Sequence, residues 1–507
     1  MARWPWLLAL LMVLVSGVVR WELVNSEFGR NGDGTGALFG IAARNYVARG
    51  WRSAETLWMP VISVGKDTTV YAHHPATVPL AIAAGVWAAG DRELGVRLQA
   101  YVCTLGAMLA VFGLMRPRAG VLGALLACGV MGFGPLSMRY GQMPDVVNSQ
   151  LVLMSVLVLW AYVRWVEERG RMWVWLVALG GVMVTDWPGF YWGLVLGVHL
   201  LVTRPGGWKK GLVWTGVLGV GLFGVLYVWS SLATGDWGLI VRQFLNRSAQ
   251  AQSDLWHAYT LSEWAGRVWR WNGELFGWGL WGMAVLGWVM VVWCRPHRGM
   301  RALVLLPAGW ALVHVVVGRQ AVWMHQWWWW PVGLALAVSA GSVMKAVGAM
   351  MLRAFPPLRV AVYGVVVGVI AAVCGLWCAG ELRHLRSAEW RLGEIGAYSP
   401  RELGQAVRAA APWGRAVMVF EKDEQPYVTY YADRPVIQKV WDRESLETGL
   451  RREYADLFYT FRERITEPPA ALVVPKVYEG KAGLVRPVLE ERCEKVEVGK
   501  FDVYEFR

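Results

Sequence analysis

The sequence predicts an α-helical polytopic membrane protein that ends in a water-soluble α/β domain. Only 17% of its 507 residues are charged, while 56% are hydrophobic. An ordinary soluble chain carries roughly 25% charge, and charge is what a bilayer excludes. Apolar runs near the length that crosses a hydrocarbon core recur as far as Gly380. Beyond that point charge is spread throughout and the apolar runs become short and β-like.

The pattern gives about eleven candidate spans. They are Trp4–Val24, Gly95–Met115, Gly120–Met138, Asn148–Val166, Met172–Thr185, Phe190–Thr203, Gly211–Leu232, Leu275–Cys294, Ala302–Val317, Trp330–Val347 and Val360–Gly380. The first has no A-x-A cleavage site and reads as a retained anchor. Val78–Ala89 is too short to span and reads as interfacial or re-entrant. Many of the 34 Trp, including Trp4, Trp6, Trp21 and Trp327 to Trp330, stand at run ends, as in an interfacial aromatic belt. Five of the six cysteines lie in apolar runs and Cys493 has no evident partner, so no disulfide framework is predicted.

Basic residues fall on every second loop: Arg116/Arg118, Arg164/Arg169/Arg171, Arg204/Lys209/Lys210, Arg295/Arg298/Arg301 and Lys345/Arg353/Arg359. The positive-inside rule then puts the N-terminus in the cytoplasm and the C-terminus outside. This loop bias accounts for the formal net charge of +13 without a nucleic-acid partner. The expected domains are a membrane domain over residues 1–380, with outside loops at 25–93 and 233–274, and an extracytoplasmic α/β domain over 381–507. In the tail, Ala416–Phe420, Ala471–Val474 and Val496–Phe506 read as strands, and Arg401–Ala411 and Asp442–Ile465 as helices.

Candidate chemistry gathers on the outside loops. Asp33 lies between glycines immediately before a helical run; glycine admits a close ligand, though Asp-Gly is also ordinary turn and helix-cap chemistry. Asp145, in Arg139-Tyr-Gly-Gln-Met-Pro-Asp, belongs to the same side and reads either as a second acid or as the cap of the next helix. Asp186 occupies the next outside turn. The adjacent His73 and His74 point apart in extended chain, so they suit hydrogen bonding or a phosphate better than one metal, which would need Glu27, Glu55 or Asp67 as well. His325 and Arg319 sit at another outside interface, where a guanidinium can pair with a lipid phosphate or simply join an aromatic belt. No P-loop, dinucleotide fingerprint, HExxH or usable GxSxG is present.

In order, Asn31-Gly-Asp33-Gly, Ala42-Ala-Arg-Asn-Tyr-Val-Ala-Arg-Gly50, His73-His-Pro-Ala-Thr-Val-Pro-Leu80, Asp91-Arg-Glu-Leu-Gly-Val-Arg97-Leu and Arg139 to Asp145 resemble the C-type glycosyltransferase superfamily. The likeness is to the branch of protein O-mannosyltransferases and lipid A aminoarabinose transferases. It covers roughly the first 200 residues in motif order and the whole chain in architecture. The resemblance implies transfer of a sugar from a polyprenyl-phosphate donor to a lipid, glycan or protein acceptor at the outer face of a membrane, a bacterial inner or plasma membrane being expected. It implies that Asp33 is the catalytic base and Asp145 a second acid near the donor. Glu27, Arg44, His73, His74, Arg139, Asp186, Arg319 and His325 are the substrate-binding candidates. No cofactor is required by the sequence and a divalent metal is left open. The family often has Asp-Glu where this chain has Asp33-Gly34, which raises Glu27 as a substitute, and it usually has a second proline where this chain has His-Pro-Ala76. A transporter or flippase of a lipid-linked substrate is the rival class. It is disfavoured because the acids cluster at one interface and no internal repeat is visible.

Overall fold

The computed structural model describes residues 4–29, 33–49, 57, 59–62, 70–248, 259–354, 359–386, 399–412, 415, 417–419, 425–434, 436–439, 446, 470–476 and 485–506. Along the chain the helices are α1 (Trp4–Asn25), α2 (Asp33–Arg49), α3 (Thr77–Ala89), α4 (Glu93–Phe133), α5 (Pro135–Tyr140), α6 (Ser149–Val166), α7 (Met172–Met183) and α8 (Pro188–Thr203). They continue with α9 (Trp208–Thr234), α10 (Leu239–Ser248), α11 (Leu261–Phe276), α12 (Trp278–Cys294), α13 (Arg298–Val317), α14 (Arg319–Met324), α15 (Trp330–Ala354) and α16 (Arg359–Arg386). Two compact units result: Met1–Val24 with His73–Val78 and Leu98–Arg383, and Asn25–Ala72 with Pro79–Arg97 and His384–Arg507.

The first unit is the apolar helical one, and the protein is an integral, multi-pass membrane protein. Every expected apolar run falls on a helix. Among the described residues, seven helices are long and apolar enough to cross a bilayer, or eight if the pair α11–α12, bent by 96°, counts as one span. The 41 residues of α4 hold two of the expected runs. A straight helix of that length would rise about 60 Å, twice a hydrocarbon core. Gly120, at φ 74° and ψ −179°, breaks it, a backbone conformation that glycine adopts at no steric cost. Trp4, Trp6 and Trp21 are exposed, as an aromatic belt requires. Trp327 to Trp330 correct that reading: they sit in and after the 3-10 turn Gln326–Trp329 and are buried, with Trp329 Nε1 donating to Val322 O at 3.2 Å.

A buried arginine holds the end of α4. Pro135 has no N–H, so Met131 O loses its helical donor, and the Ser137 hydroxyl supplies one at 2.6 Å. Arg20 of α1, fully buried, spreads five donors over this break. It reaches Ser16 Oγ at 3.1 Å, Ser137 O at 2.7 Å, Gln142 Oε1 at 2.9 Å, Gly132 O at 2.5 Å and Ser137 Oγ at 2.9 Å. In a lipid-filled region a broken helix persists only when its freed carbonyls are met internally in this way.

The second unit contains a five-stranded mixed sheet. Its elements are α17 (Pro400–Ala410), β1 (Val417–Val419), α18 (Gln425–Ala432), β2 (Val436–Lys439), β3 (Ala471–Pro475), α19 (Arg486–Arg492), β4 (Cys493–Val498) and β5 (Phe501–Phe506). Strand order is β2-β1-β3-β5-β4; β1 lies parallel to β2 and β3, and β5 antiparallel to β3 and β4. The crossover between the parallel β1 and β2 is helical, as parallel pairing requires. Leu403 and Val407 of α17 are buried with Val417, Met418, Leu472 and Val473 in one core. The expected single strand Val496–Phe506 is instead a hairpin, because Gly499 turns the chain at φ 58°. The expected helix Asp442–Ile465 lies, but for Leu446, outside the described residues.

Candidate active site

In the second unit, Asp33 starts α2 and is buried to 7% exposure. Its Oδ2 accepts from Gly29 N–H at 3.3 Å and pairs with Arg97 Nη2 at 3.1 Å. Arg97, 1% exposed, also donates to the Ser26 and Glu27 carbonyls and lies 4.5 Å from the centre of the Phe28 ring. Residues 26–29 thus gather around one guanidinium, which orients the Asp33 carboxylate by its charge. Asp33 is therefore held at a fixed place rather than left as a solvated turn residue.

The other candidates of this unit serve ion pairs. Arg44 binds Asp91 at 2.5 Å and Asp433 at 3.2 Å, donates to Tyr430 O at 3.1 Å and stacks 4.7 Å from the Tyr430 ring centre. Gly40 permits that approach of α18 to α2, since a Cβ there would come within 2.8 Å of the Tyr430 ring. Glu27 pairs with Arg401 at 3.4 Å, and Arg401 also binds the buried Glu93 at 2.5 Å. Glu93 accepts from the Tyr431 hydroxyl at 2.6 Å, and that oxygen accepts from Phe28 N–H at 2.8 Å. Burial, and then the Glu93 charge, push the Tyr431 hydroxyl well above its ordinary value, so it remains a donor.

In the first unit, His74 Nδ1 lies 2.5 Å from Asp186 Oδ1, both side chains being buried. The His73 and His74 rings are 4.7 Å apart, and Trp187 Nε1 donates to His73 O at 2.6 Å. Burial, then the charges of His74 and Arg247, hold His73 well below its usual value. The same causes, burial first and then Arg247, bring His325 down to about 3. His325 stacks on Trp327 at 4.5 Å, while the Arg247 guanidinium stands 5.6 Å from the Trp328 ring centre. Arg247 thus bears on both His73 and His325; His73, His74 and Asp186 are buried, while His325 and Arg247 are half-buried.

Asp145 is buried, and its Oδ1 accepts from Val147 N–H at 3.1 Å. It does not cap α6, because Asn148 does so by accepting from Gln150 N–H at 2.8 Å. Arg139 makes a bidentate pair with Glu381 at 2.6 and 3.0 Å. Arg319 is exposed and donates to Ser248 O at 3.0 Å. Among the described residues no group of three or more His, Cys, Asp or Glu stands close enough to hold a metal ion. Glu55 and Asp67 lie outside the described residues. Sequence reasoning assigned no role to Arg97, Glu93, Arg247 or Glu381. Arg97 and Glu93 sat within a quoted motif, and Arg247 lay inside Asn246-Arg-Ser, which registers only as a glycosylation pattern.

Residues 73–230 match the family model described as dolichyl-phosphate-mannose-protein mannosyltransferase. No curated protein matches the chain by sequence. Among solved structures, ArnT from Cupriavidus metallidurans bound to undecaprenyl phosphate is similar at TM-score 0.60 and 15% identity, over 99% of this chain and 98% of that one. Its apo form gives 0.62 and 17% over the same shares. The archaeal oligosaccharyltransferase AglB from Archaeoglobus fulgidus, in complex with an inhibitory peptide and a dolichol-phosphate, gives 0.55 and 12%, over 98% of this chain and 74% of that one. The chain thus shares the fold of these membrane proteins, and residues 73–230 carry the matching mannosyltransferase sequence pattern.

Proposed function

We propose that this enzyme moves a sugar from a polyprenyl-phosphate donor to a lipid, glycan or protein acceptor on the extracytoplasmic face of the membrane. One observation carries the reading: the buried His73 and His74 stand together, His74 against the buried Asp186 carboxylate, with the Arg247 charge bearing on His73. Imidazole and guanidinium groups at such a place suit an anionic group drawn partly out of water. The lipid phosphates in the ArnT and AglB structures support the same class of donor. Asp33 is the base. It takes the proton of the acceptor nucleophile as the new bond to the sugar's anomeric carbon forms, and the old bond's electron pair leaves on the lipid phosphate oxygen. Asp145 is the second acid on the donor side. The basic loops support a cytoplasmic N-terminus and an extracytoplasmic tail, residues 381–507 forming a domain that guides the acceptor. Purified protein in sealed proteoliposomes is to be incubated with labelled polyprenyl-phosphate sugars and cell-envelope acceptors. Labelled acceptor is expected; translocated donor without product would favour a flippase and overturn the reading.

A further inference from the structure

The apolar unit holds a buried acid whose part in this reading is still undefined. Asp186 lies at the turn between α7 and α8, far from His74 in sequence, and is fully buried. That turn is fastened to the His-His segment on both flanks. Trp187 Nε1 donates to His73 O at 2.6 Å, and the Thr77 hydroxyl donates to Val184 O. The turn is itself pinned by Thr185 Oγ1 on Gly181 O at 2.9 Å and by Trp310 Nε1 on Pro188 O at 2.8 Å. The short Asp186–His74 contact lies between these fastenings. A buried carboxylate kept only for stability would have both oxygens met, since desolvating it costs several kcal/mol. Asp186 Oδ2 makes no hydrogen bond among the described residues. Tyr191 and His314 lie within the field of the same carboxylate.

We infer that Asp186 is a positioning residue acting through His74. Its Oδ1 accepts a hydrogen bond from His74 Nδ1–H, the proton staying on the ring, and so fixes the ring's plane. The Nε2 edge is then presented to the phosphate of the lipid donor, and the carboxylate balances the ring's charge when Nε2–H binds a phosphate oxygen. An acid that orients an imidazole and supports its charged form is established physical chemistry. The inference rests on the polyprenyl-phosphate reading above, and it adds the pairing and the direction of action.

The test is a double-mutant cycle on the full-length protein in nanodiscs, with undecaprenyl phosphate as the probe. Affinity and thermal midpoint are measured for wild type, Asp186→Asn, His74→Gln, the double variant and Asp186→Glu. Each of the first two single changes is expected to weaken binding by about tenfold or more, with the double variant no weaker than His74→Gln and Asp186→Glu recovering part of the loss. Wild-type affinity in Asp186→Asn, or losses that multiply in the double variant, would overturn the inference alone. Should Asp186→Asn not fold, Asp186→Glu takes its place in the cycle. A loss in Asp186→Glu that persists at full size in the His74→Gln background would overturn the inference in the same way. A wild type that binds no undecaprenyl phosphate would overturn the donor reading itself.

Discussion

Arg97→Met and Asp33→Asn remove opposite halves of one buried ion pair, and the structure predicts unequal costs. Methionine keeps the stem of Arg97 but deletes the cation 3.1 Å from Asp33, together with the donor to the Ser26 carbonyl and the stack on Phe28. A buried charge stripped of its partner costs about 3–5 kcal/mol. In Asp33→Asn the side chain can still accept from Gly29 N–H, and the buried Arg97 cation keeps the Ser26 and Glu27 carbonyls and the Phe28 ring, so losing the carboxylate costs about 1–3 kcal/mol. For a unit of this size each kcal/mol moves the unfolding midpoint by about 2–4 °C. Arg97→Met should therefore lower the midpoint by about 6–20 °C and Asp33→Asn by about 2–12 °C. The assay is thermal unfolding in nanodiscs at one scan rate, followed by tryptophan fluorescence. An Arg97→Met midpoint no lower than that of Asp33→Asn would refute the reasoning.

Arg20→Met should cost only about 1–3 kcal/mol despite deleting five hydrogen bonds. Ser137 O keeps Gly141 N–H at 2.7 Å and Gly132 O keeps the Ser16 hydroxyl at 3.3 Å, so Gln142 Oε1 is the main orphan, while a buried cation is removed. Thermal unfolding checks it, and a loss above about 5 kcal/mol would contradict it. Glu381→Gln and Arg139→Met should lower the midpoint by similar amounts and add nothing in combination, because each breaks the same bidentate pair; additive losses would show separate roles. In the tail, the Ser399 amide and Lys500 hold the Glu402 carboxyl below its ordinary 4.5. Its contribution to capping α17 is thus present above that value and fades as the pH falls through the lowered one. Amide exchange at the start of α17, corrected for intrinsic rates, should rise across that acid window in the wild type and not in Glu402→Gln.

Much of the membrane architecture was legible because apolar run length is a direct consequence of bilayer thickness. The break at Pro135 was not, since it depends on the Ser137 hydroxyl meeting the Met131 carbonyl that proline orphans, with Arg20 beside it on Gly132 O. The two runs Gly95–Met115 and Gly120–Met138 were read apart, and Gly120 is where the helix breaks; the count was soft instead at Val78–Ala89 and at the short helices α7 and α8. Asp145 illustrates the limit of local reading: Asp and Asn compete for the same cap, and Asn148 takes it. Arg44 looked available for a substrate, yet its partners Asp91 and Asp433 stand far along the chain, and no local signal announces them. The His74–Asp186 contact joins residues that are distant in sequence, so the two appeared as separate candidates and never as a pair. In the tail, the strands were readable as β-type runs, but the hairpin needed the positive φ of Gly499.

The central claim is that Asp33 is the base of sugar transfer from a polyprenyl phosphate. Its most direct test is the single-turnover rate of Asp33→Asn, with labelled donor bound before acceptor is added. Donor binding close to wild type is expected, with a midpoint lowered less than in Arg97→Met and transfer reduced by about 100-fold or more, the scale of a lost general base. Transfer within a few-fold of wild type in that variant would contradict it.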